Sequence, residues 1–291
     1  MWKIANCRVG MRHDVSVPVC SGGKTDTRLP MGVTVELLLA VTIWWTGAMA
    51  AHRVAVVYGG RGTDALAVRE TVRCLRAHAD ACSVRVASDA QAIAEACHDG
   101  RTAAIVIPGG RDLPYVDDLS PNATECVRRF VDSGGLYIGI CAGAYFACRR
   151  VEFEVGREEY EVVGDRHLRL VDAVARGPAY SGFQYGTDQG AHAATVQLSD
   201  SIALPLYFNG GPAFDISREA SGVEVLGSYG DGRPAIIRRR VGKGSVLLSG
   251  VHFEFSPWAV SRDDIRGKLA AFDDERIRFI RHLLAEVLMS P

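Results

Sequence analysis

The chain has 291 residues, of which 48% are hydrophobic and 23% are charged. That size suits one large globular domain or two small ones. The formal net charge of −1 gives no electrostatic reason to expect a nucleic-acid partner. The basic run Arg238–Arg240 is predicted to end a strand before a hairpin turn at Val241–Gly244, which is typical of a solvated strand end.

The first fifty residues differ in composition from the rest of the chain. Residues 1–30 show no sustained apolar periodicity and are predicted to be disordered. Residues 33–45 are strongly apolar, and the small residues Ala48 and Ala50 follow at the spacing that signal peptidase prefers. The apolar stretch is shorter than the roughly 20 residues that a membrane span needs. We therefore predict a leader with a signal peptide over residues 1–50 and export through the secretory pathway, to the periplasm or outside the cell.

Two alternatives stay open for this segment. Without cleavage it would anchor the protein to a membrane. If Met31 is the true start, the basic residues Lys24 and Arg28 are lost from the flank of the apolar stretch, which weakens the signal peptide and leaves a cytoplasmic protein as the alternative.

From residue 53 the sequence alternates between strand and helix patterns. Continuous apolar strands separated by helices indicate a parallel sheet that is covered on both faces. Beyond about residue 150 the pattern changes to short runs, which we predict as an antiparallel extension of this sheet and as loops over a site. The predicted elements are strands at 54–58, 83–87, 103–107 and 136–140, helices at 64–79, 89–98, 122–132 and 273–288, and β-like runs at 160–163, 195–198, 204–208 and 223–226.

Cys141 stands at the end of an apolar run, within the stretch Leu136–Tyr145. The run ends in a Gly-x-Cys-x-Gly pattern that small helix-forming residues follow. This pattern predicts a strand, a sharp turn and a helix with the cysteine at the turn, as in a nucleophile elbow. The flanking glycines permit strained backbone at such a turn, and the N-terminal end of the helix favours a thiolate.

A histidine and a carboxylate follow a second predicted buried strand, Val246–Gly250. His252 and Glu254 can supply a base and the group that orients it, so that with Cys141 they predict a Cys-His-Glu triad. A zinc site is the weaker interpretation, because zinc needs three or four protein ligands and no third ligand is spaced with this pair. We therefore predict no metal site and no cofactor.

Taken together, these motifs resemble the class I glutamine amidotransferase superfamily and, more closely, the N-terminal domain of eukaryotic-type biotin–protein ligases and the stand-alone proteins that share this domain. The resemblance runs in order from about residue 53 to 257. The Pro-Gly-Gly-x-Asp-Leu-Pro-Tyr and Tyr-x-Asn-Gly-Gly stretches are its specific part. The stretches that carry it are Val57–Gly62, Ile107–Tyr115, Gly139–Tyr145, Phe153–Gly156, Arg176–Tyr180, Tyr207–Gly211 and His252–Phe255.

The resemblance implies a single amidotransferase-like domain over residues 51–291. The implied α/β fold is a flavodoxin-like three-layer sandwich with a mainly parallel central sheet and an antiparallel extension. The resemblance also implies that Cys141 is the nucleophile, His252 the base and Glu254 the group that orients it.

The backbone N–H groups of Gly110 and Ala142 would form the oxyanion hole, since bare N–H groups can approach a developing oxyanion closely. The remaining positions that the resemblance places near the pocket are Gly109, Asp112, Tyr115, Tyr145, Tyr185 and Asn209.

The sequence departs from these relatives in two respects. Amidotransferases that use glutamine usually carry Gln two residues after the second elbow glycine, and Tyr145 fills that place here. Biotin ligation belongs to a separate C-terminal domain with a Gly-Arg-Gly-Arg-type loop, a motif that this sequence lacks. We therefore expect neither glutamine recognition by the usual residue nor ligase activity from this chain itself.

Two functions are left open by the sequence. One is a cysteine-dependent, amidotransferase-like hydrolase that attacks an amide or peptide carbonyl of a small molecule or peptide and forms a thioester. The other is a non-catalytic module that retains the site to bind a small ligand or a protein. Reactivity of Cys141 and turnover of an amide distinguish the two functions.

Overall fold

The computed structural model describes residues 53–79 and 82–289. The predicted leader and signal peptide over residues 1–50 lie outside these residues and stay predictions. No helix within the described residues is long and apolar enough to cross a membrane.

Strands and helices alternate through the first half of the described chain, and strands dominate after residue 148. In chain order the elements are β1 (Arg53–Tyr58), α1 (Ala65–His78), β2 (Cys82–Ala87), α2 (Ala90–His98), β3 (Thr102–Ile107), α3 (Asp112–Asp118), α4 (Pro121–Asp132), β4 (Leu136–Ile140), α5 (Ala142–Ala147), β5 (Cys148–Phe153), β6 (Val162–Asp165), β7 (Val171–Gly177), β8 (His192–Ser199), β9 (Ile202–Phe208), β10 (Ala213–Ile216), β11 (Val223–Tyr229), β12 (Pro234–Val241), β13 (Gly244–Ser249), a 3₁₀ turn (Pro257–Ala259), α6 (Asp263–Ala270) and α7 (Asp273–Met289).

Nine of these strands form a central sheet in the order β2-β1-β3-β4-β13-β12-β11-β8-β9. The first five run parallel to one another. The last four continue the sheet with antiparallel pairing. The predicted α/β class, with a parallel sheet and an antiparallel extension, is confirmed, and so is the predicted hairpin between β12 and β13.

Helices cover both faces of the central sheet. Side chains alternate between the two faces along each strand, so neighbouring residues of one strand pack against different helices. Val57 of β1 belongs to a buried cluster with Leu75 of α1 and Leu284 of α7. The neighbouring Val56 belongs to a different buried cluster, which contains Val127 of α4. The order helix, sheet, helix makes the three layers that the sequence predicts.

A second, four-stranded sheet has the order β10-β7-β5-β6. Part of the run predicted at 160–163 belongs to this second sheet, because β6 begins at Val162 and pairs with β5. β5 starts directly after α5, and α5 contacts β3 and β4. A parallel strand that returned to the central sheet would need a longer connection than this one. β5 therefore lies on the same side of the central sheet as α5. The other three predicted runs lie in β8, β9 and β11.

Two glycines allow α5 to lie close against the central sheet. A Cβ atom at Gly143 would lie 2.0 Å from the carbonyl oxygen of Ile107, and one at Gly139 would lie 2.5 Å from the carbonyl oxygen of Gly143. The Tyr137 hydroxyl donates to that same Gly143 oxygen at 2.8 Å. The elbow glycines are therefore required by backbone contact between the helix and the strands.

We expect Gly143→Ala to lower the free energy of unfolding by about 1–3 kcal/mol, as overpacking does in a closed core. The matched control is Gly267→Ala, also within a helix, where a Cβ atom meets nothing within 4 Å. That control should gain roughly 0.5–1 kcal/mol from helix propensity. Urea unfolding of the two variants measures both effects, and equal stability would contradict the close packing of α5.

Candidate functional site

A cavity of about 620 Å³ lies beyond the C-terminal ends of β1, β3 and β4. Loops that follow these strands line it with Gly62, Gly110 and Cys141, and His252 enters from the segment after β13. Parallel sheets bind ligands at this edge. Four positions that are distant in sequence therefore meet at one place in the fold.

The backbone of Cys141 is strained, with φ of 51° and ψ of −106° between β4 and α5. A positive φ is unusual for a residue other than glycine and clusters at functional sites. The Cys141 N–H donates to the carbonyl oxygen of Ser249 at 2.8 Å. Its Sγ lies 3.7 Å from the carbonyl oxygen of Asn209. The strained turn at the end of a strand is the one that the sequence predicts.

His252 and Glu254 form a buried pair beside Cys141. The Nδ1 atom of His252 lies 2.8 Å from Oε1 of Glu254, and the two residues are 5% and 1% exposed. The His252 N–H donates to the carbonyl oxygen of Tyr207 at 2.7 Å. Because Nδ1 contacts the carboxylate, Nε2 is the ring nitrogen that remains for the Cys141 thiol.

The surroundings of the His252 imidazole favour its charged form. Burial lowers the pKa of His252, but the charge of Glu254 and hydrogen bonds with Cys141 and Glu254 outweigh burial, so that the pKa is raised from 6.5 to about 10. The second oxygen of Glu254 is buried with no hydrogen-bond partner among the described residues. The carboxylate charge is thus compensated mainly by the imidazolium.

Two arginines hold the segment behind the histidine in place. Arg276 donates from Nη1 to the carbonyl oxygen of Phe253 at 2.9 Å. Arg73 donates from Nη2 to the carbonyl oxygen of Glu254 at 3.2 Å. These contacts come from α7 and α1, so helices on one side of the sheet fix the backbone that carries the pair.

Glycines in the loop after β3 bring the backbone close to the histidine. A Cβ atom at Gly109 would lie 2.7 Å from Cε1 of His252. Gly110 has φ of +154°, and a Cβ atom there would lie 2.2 Å from the carbonyl oxygen of Gly62. The N–H groups of Gly110 and Ala142 donate to no other group of the described residues and are free for a ligand.

Tyr115 supports this loop from beneath and does not line the cavity. Its hydroxyl donates to the carbonyl oxygens of Pro108 at 3.2 Å and Gly109 at 3.1 Å, and its side chain is fully buried. Tyr115 was predicted to line the pocket, but it supports the loop after β3 instead. Tyr115 and Asp112 lie in helix α3, where the sequence predicted a loop.

Asp112 lines the cavity, but it is neutralised by a partner from the second sheet. Burial raises the pKa of Asp112, while the buried Arg166 opposes that rise. Arg166 donates from Nε to Oδ2 of Asp112 at 2.7 Å. Asp112 thus ties α3 to the segment after β6 rather than presenting a free charge.

Tyr145, two residues after the second elbow glycine, lines the cavity and makes a structural contact. Its hydroxyl donates to the carbonyl oxygen of Gly210 at 3.0 Å. A Cβ atom at Gly177 would overlap with that hydroxyl. Tyr145 therefore joins the elbow helix to the Tyr-x-Asn-Gly-Gly loop.

Tyr185 and Asn209 both line the cavity. Tyr185 packs edge-on against Phe183 with ring centroids 4.9 Å apart, and Phe183 meets Phe153 in the same manner at 5.6 Å. Asn209 donates from Nδ2 to the carbonyl oxygen of Thr187 at 3.3 Å. Together the three rings form one aromatic wall of the cavity.

Sequence reasoning missed several lining residues. Four of them, Arg111, Phe153, Tyr207 and Phe255, fall within motif stretches, but no motif marks their side chains as lining a pocket. The missed residues are Asp64, Arg111, Phe153, Phe183, Asp188, Tyr207 and Phe255. Within residues 53–79 and 82–289, no cluster of three or more His, Cys, Asp and Glu side chains is arranged to hold a metal ion.

Comparison with known proteins identifies the relatives of this fold. The chain is 32% identical over 209 residues to the biotin–protein ligase of Schizosaccharomyces pombe, which covers 69% of this chain but only 33% of the ligase. It is 35% identical over 252 residues to an uncharacterized protein of Chlamydia muridarum, with coverage of 80% of this chain and 96% of that protein. The family described as the N-terminal region of biotin–protein ligase matches residues 53–290. The chain therefore belongs to the family of biotin–protein ligase N-terminal domains.

Proposed function

We propose that this protein is a cysteine-dependent hydrolase of the amidotransferase-like type, which cleaves an amide or peptide bond through a thioester on Cys141. The observation that carries the proposal is one cavity in which a thiol on a strained elbow lies beside the His252–Glu254 pair. A nucleophile, a base and the group that orients the base are the parts that such catalysis needs.

In the first half of the proposed reaction, the Cys141 thiolate attacks the carbonyl carbon and an S–C bond forms. The N–H groups of Gly110 and Ala142 stabilise the negative charge on the carbonyl oxygen, where one such donor is worth roughly 3 kcal/mol. The imidazolium of His252 gives its proton to the leaving nitrogen as the C–N bond breaks. Ammonia or an amine departs, and the acyl group stays on sulfur.

In the second half, water attacks the thioester. The neutral imidazole of His252 accepts a proton from the water, the C–S bond breaks, and the carboxylic acid leaves. The thiolate–imidazolium pair is then restored. Glu254 keeps the ring oriented throughout and stabilises its charged form, which agrees with the raised pKa of His252.

The reactivity of Cys141 tests this proposal directly. Iodoacetamide at about pH 6 should label Cys141 before Cys74 and Cys97, because burial raises the pKa of both of those thiols to about 12. His252→Ala should slow labelling of Cys141 by about tenfold or more, since the charged partner of the thiolate is lost. Peptide mass spectrometry after timed quenching measures the rates.

Two further variants sharpen the experiment. Glu254→Gln should slow labelling less than His252→Ala, because the imidazole remains. Cys126→Ser, on a helix outside the cavity, should not change the rate at Cys141. Labelling of Cys141 no faster than that of Cys74 would refute the activated nucleophile. Fast labelling without turnover of any amide, ester or peptide would favour the non-catalytic binding module.

The charged state of His252 predicts how stability depends on pH. Its pKa is 6.5 when exposed and about 10 in the folded protein, so between these values the folded histidine holds a proton that the unfolded one has lost. Up to about pH 8.5, the ordinary pKa of a free thiol, this gain is offset by the proton that Cys141 gives up in the proposed thiolate–imidazolium pair. The contribution is fully present below pH 6.5 and is lost as the pH rises through 10. The free energy of unfolding should therefore fall between about pH 8.5 and pH 10.

Urea unfolding between pH 6 and 10.5 measures this slope. His252→Asn should flatten it. The matched control is His282→Asn, because His282 is an exposed side chain on α7, and this variant should keep the slope of the unmodified protein. An unchanged slope in His252→Asn would show that the histidine is neutral in the folded state.

A further inference from the structure

The carboxylates that line the cavity all have partners within the protein. Asp64 caps α1 and accepts from the N–H of Ala67 at 2.9 Å. Asp188 accepts from the Ser261 hydroxyl at 3.2 Å. Asp112 is paired with Arg166, as described above. Each negative charge at the cavity is thus engaged by a helix end, a hydroxyl or a cation.

Arg111 supplies a cation to the lining of the cavity. Its guanidinium lies 4.6 Å from the ring centroid of Tyr185, and no carboxylate of the described residues pairs with it. Its backbone is fixed, since the Arg111 N–H donates to the carbonyl oxygen of Gly62 at 2.9 Å. Contact with an aromatic face orients an arginine without neutralising it.

The position of Arg111 relates its charge to the reacting centre. It follows Gly110, whose N–H group is free, and its side chain meets the wall formed by Phe153, Phe183 and Tyr185. A substrate carbonyl at the Gly110 N–H would therefore place its acyl chain along this wall, with the guanidinium at the far end.

We propose that Arg111 binds a carboxylate on the acyl portion of the substrate, so that the protein acts on monoamides of dicarboxylic acids. This inference rests on the proposed hydrolase function. A planar guanidinium pairs with a carboxylate through two parallel hydrogen bonds, and one unpaired positive charge balances one negative charge.

Two alkylating reagents of nearly equal size test the inference in the full chain. Iodoacetate and iodoacetamide react alike: an S–C bond forms at Cys141, the C–I bond breaks and iodide leaves. They differ in that only iodoacetate carries a carboxylate. The quantity measured is the ratio of the two labelling rates at Cys141, and the iodoacetamide rate of each variant serves as its own reference.

We expect Arg111→Gln to lower the ratio of iodoacetate to iodoacetamide labelling by roughly threefold, as loss of one partly exposed ion pair would. Arg111→Lys keeps the charge, so its ratio should lie between that of the unmodified protein and that of Arg111→Gln. The charge-matched control is Arg218→Gln, because Arg218 is exposed and does not line the cavity, and it should leave the ratio unchanged.

An unchanged ratio in Arg111→Gln would overturn the inference. So would an equal fall in Arg218→Gln, because the effect would then follow net charge. If both reagents slow equally in Arg111→Gln, the arginine acts on the structure and the inference also fails. Preferential labelling of Cys141 by iodoacetamide in these variants keeps the proposed nucleophile intact, so failure of this inference is distinguishable from failure of the proposed function.

Discussion

The hydrogen bond from the Cys141 N–H to the carbonyl oxygen of Ser249 is the contact on which the site depends. It joins the strained end of β4 to the last residue of β13, and these two strands pair in parallel, with Ile140 opposite Ser249. His252 follows only three residues later. The register of one strand pair therefore sets the position of the thiol and of the imidazole together, although 111 residues separate them in sequence.

The loop after β3 meets this strand pair from the other side. Tyr115 fixes its carbonyl oxygens from beneath, and the glycines at 109 and 110 leave no side chain between the loop and the histidine. The same loop thus provides a free N–H group, room for the imidazole, and, one residue later, the cation at Arg111. Preorganised groups of this kind need no rearrangement when charge develops.

Much of this arrangement was predictable because it depends on local backbone chemistry. Apolar strands followed by glycines predict the parallel half of the sheet, and Cys141 stands at the turn that its neighbours predict. The second sheet was not predictable, since it follows from α5 ending at Ala147, where no glycine or proline marks the boundary. Arg111 and Phe183 lie on loops, where only the folded chain brings them to the cavity.

Tyr145 in the elbow helix is held by contacts on two sides. The Tyr145 hydroxyl holds the carbonyl oxygen of Gly210 and occupies space that Gly177 leaves open. These contacts of Tyr145 join the elbow helix to the second sheet and to the loop that carries Asn209, and they leave its hydroxyl without a free hydrogen to donate. In the proposed reaction, selection of the substrate then depends on groups with unused hydrogen-bonding capacity, and within the described cavity the Arg111 guanidinium is such a group.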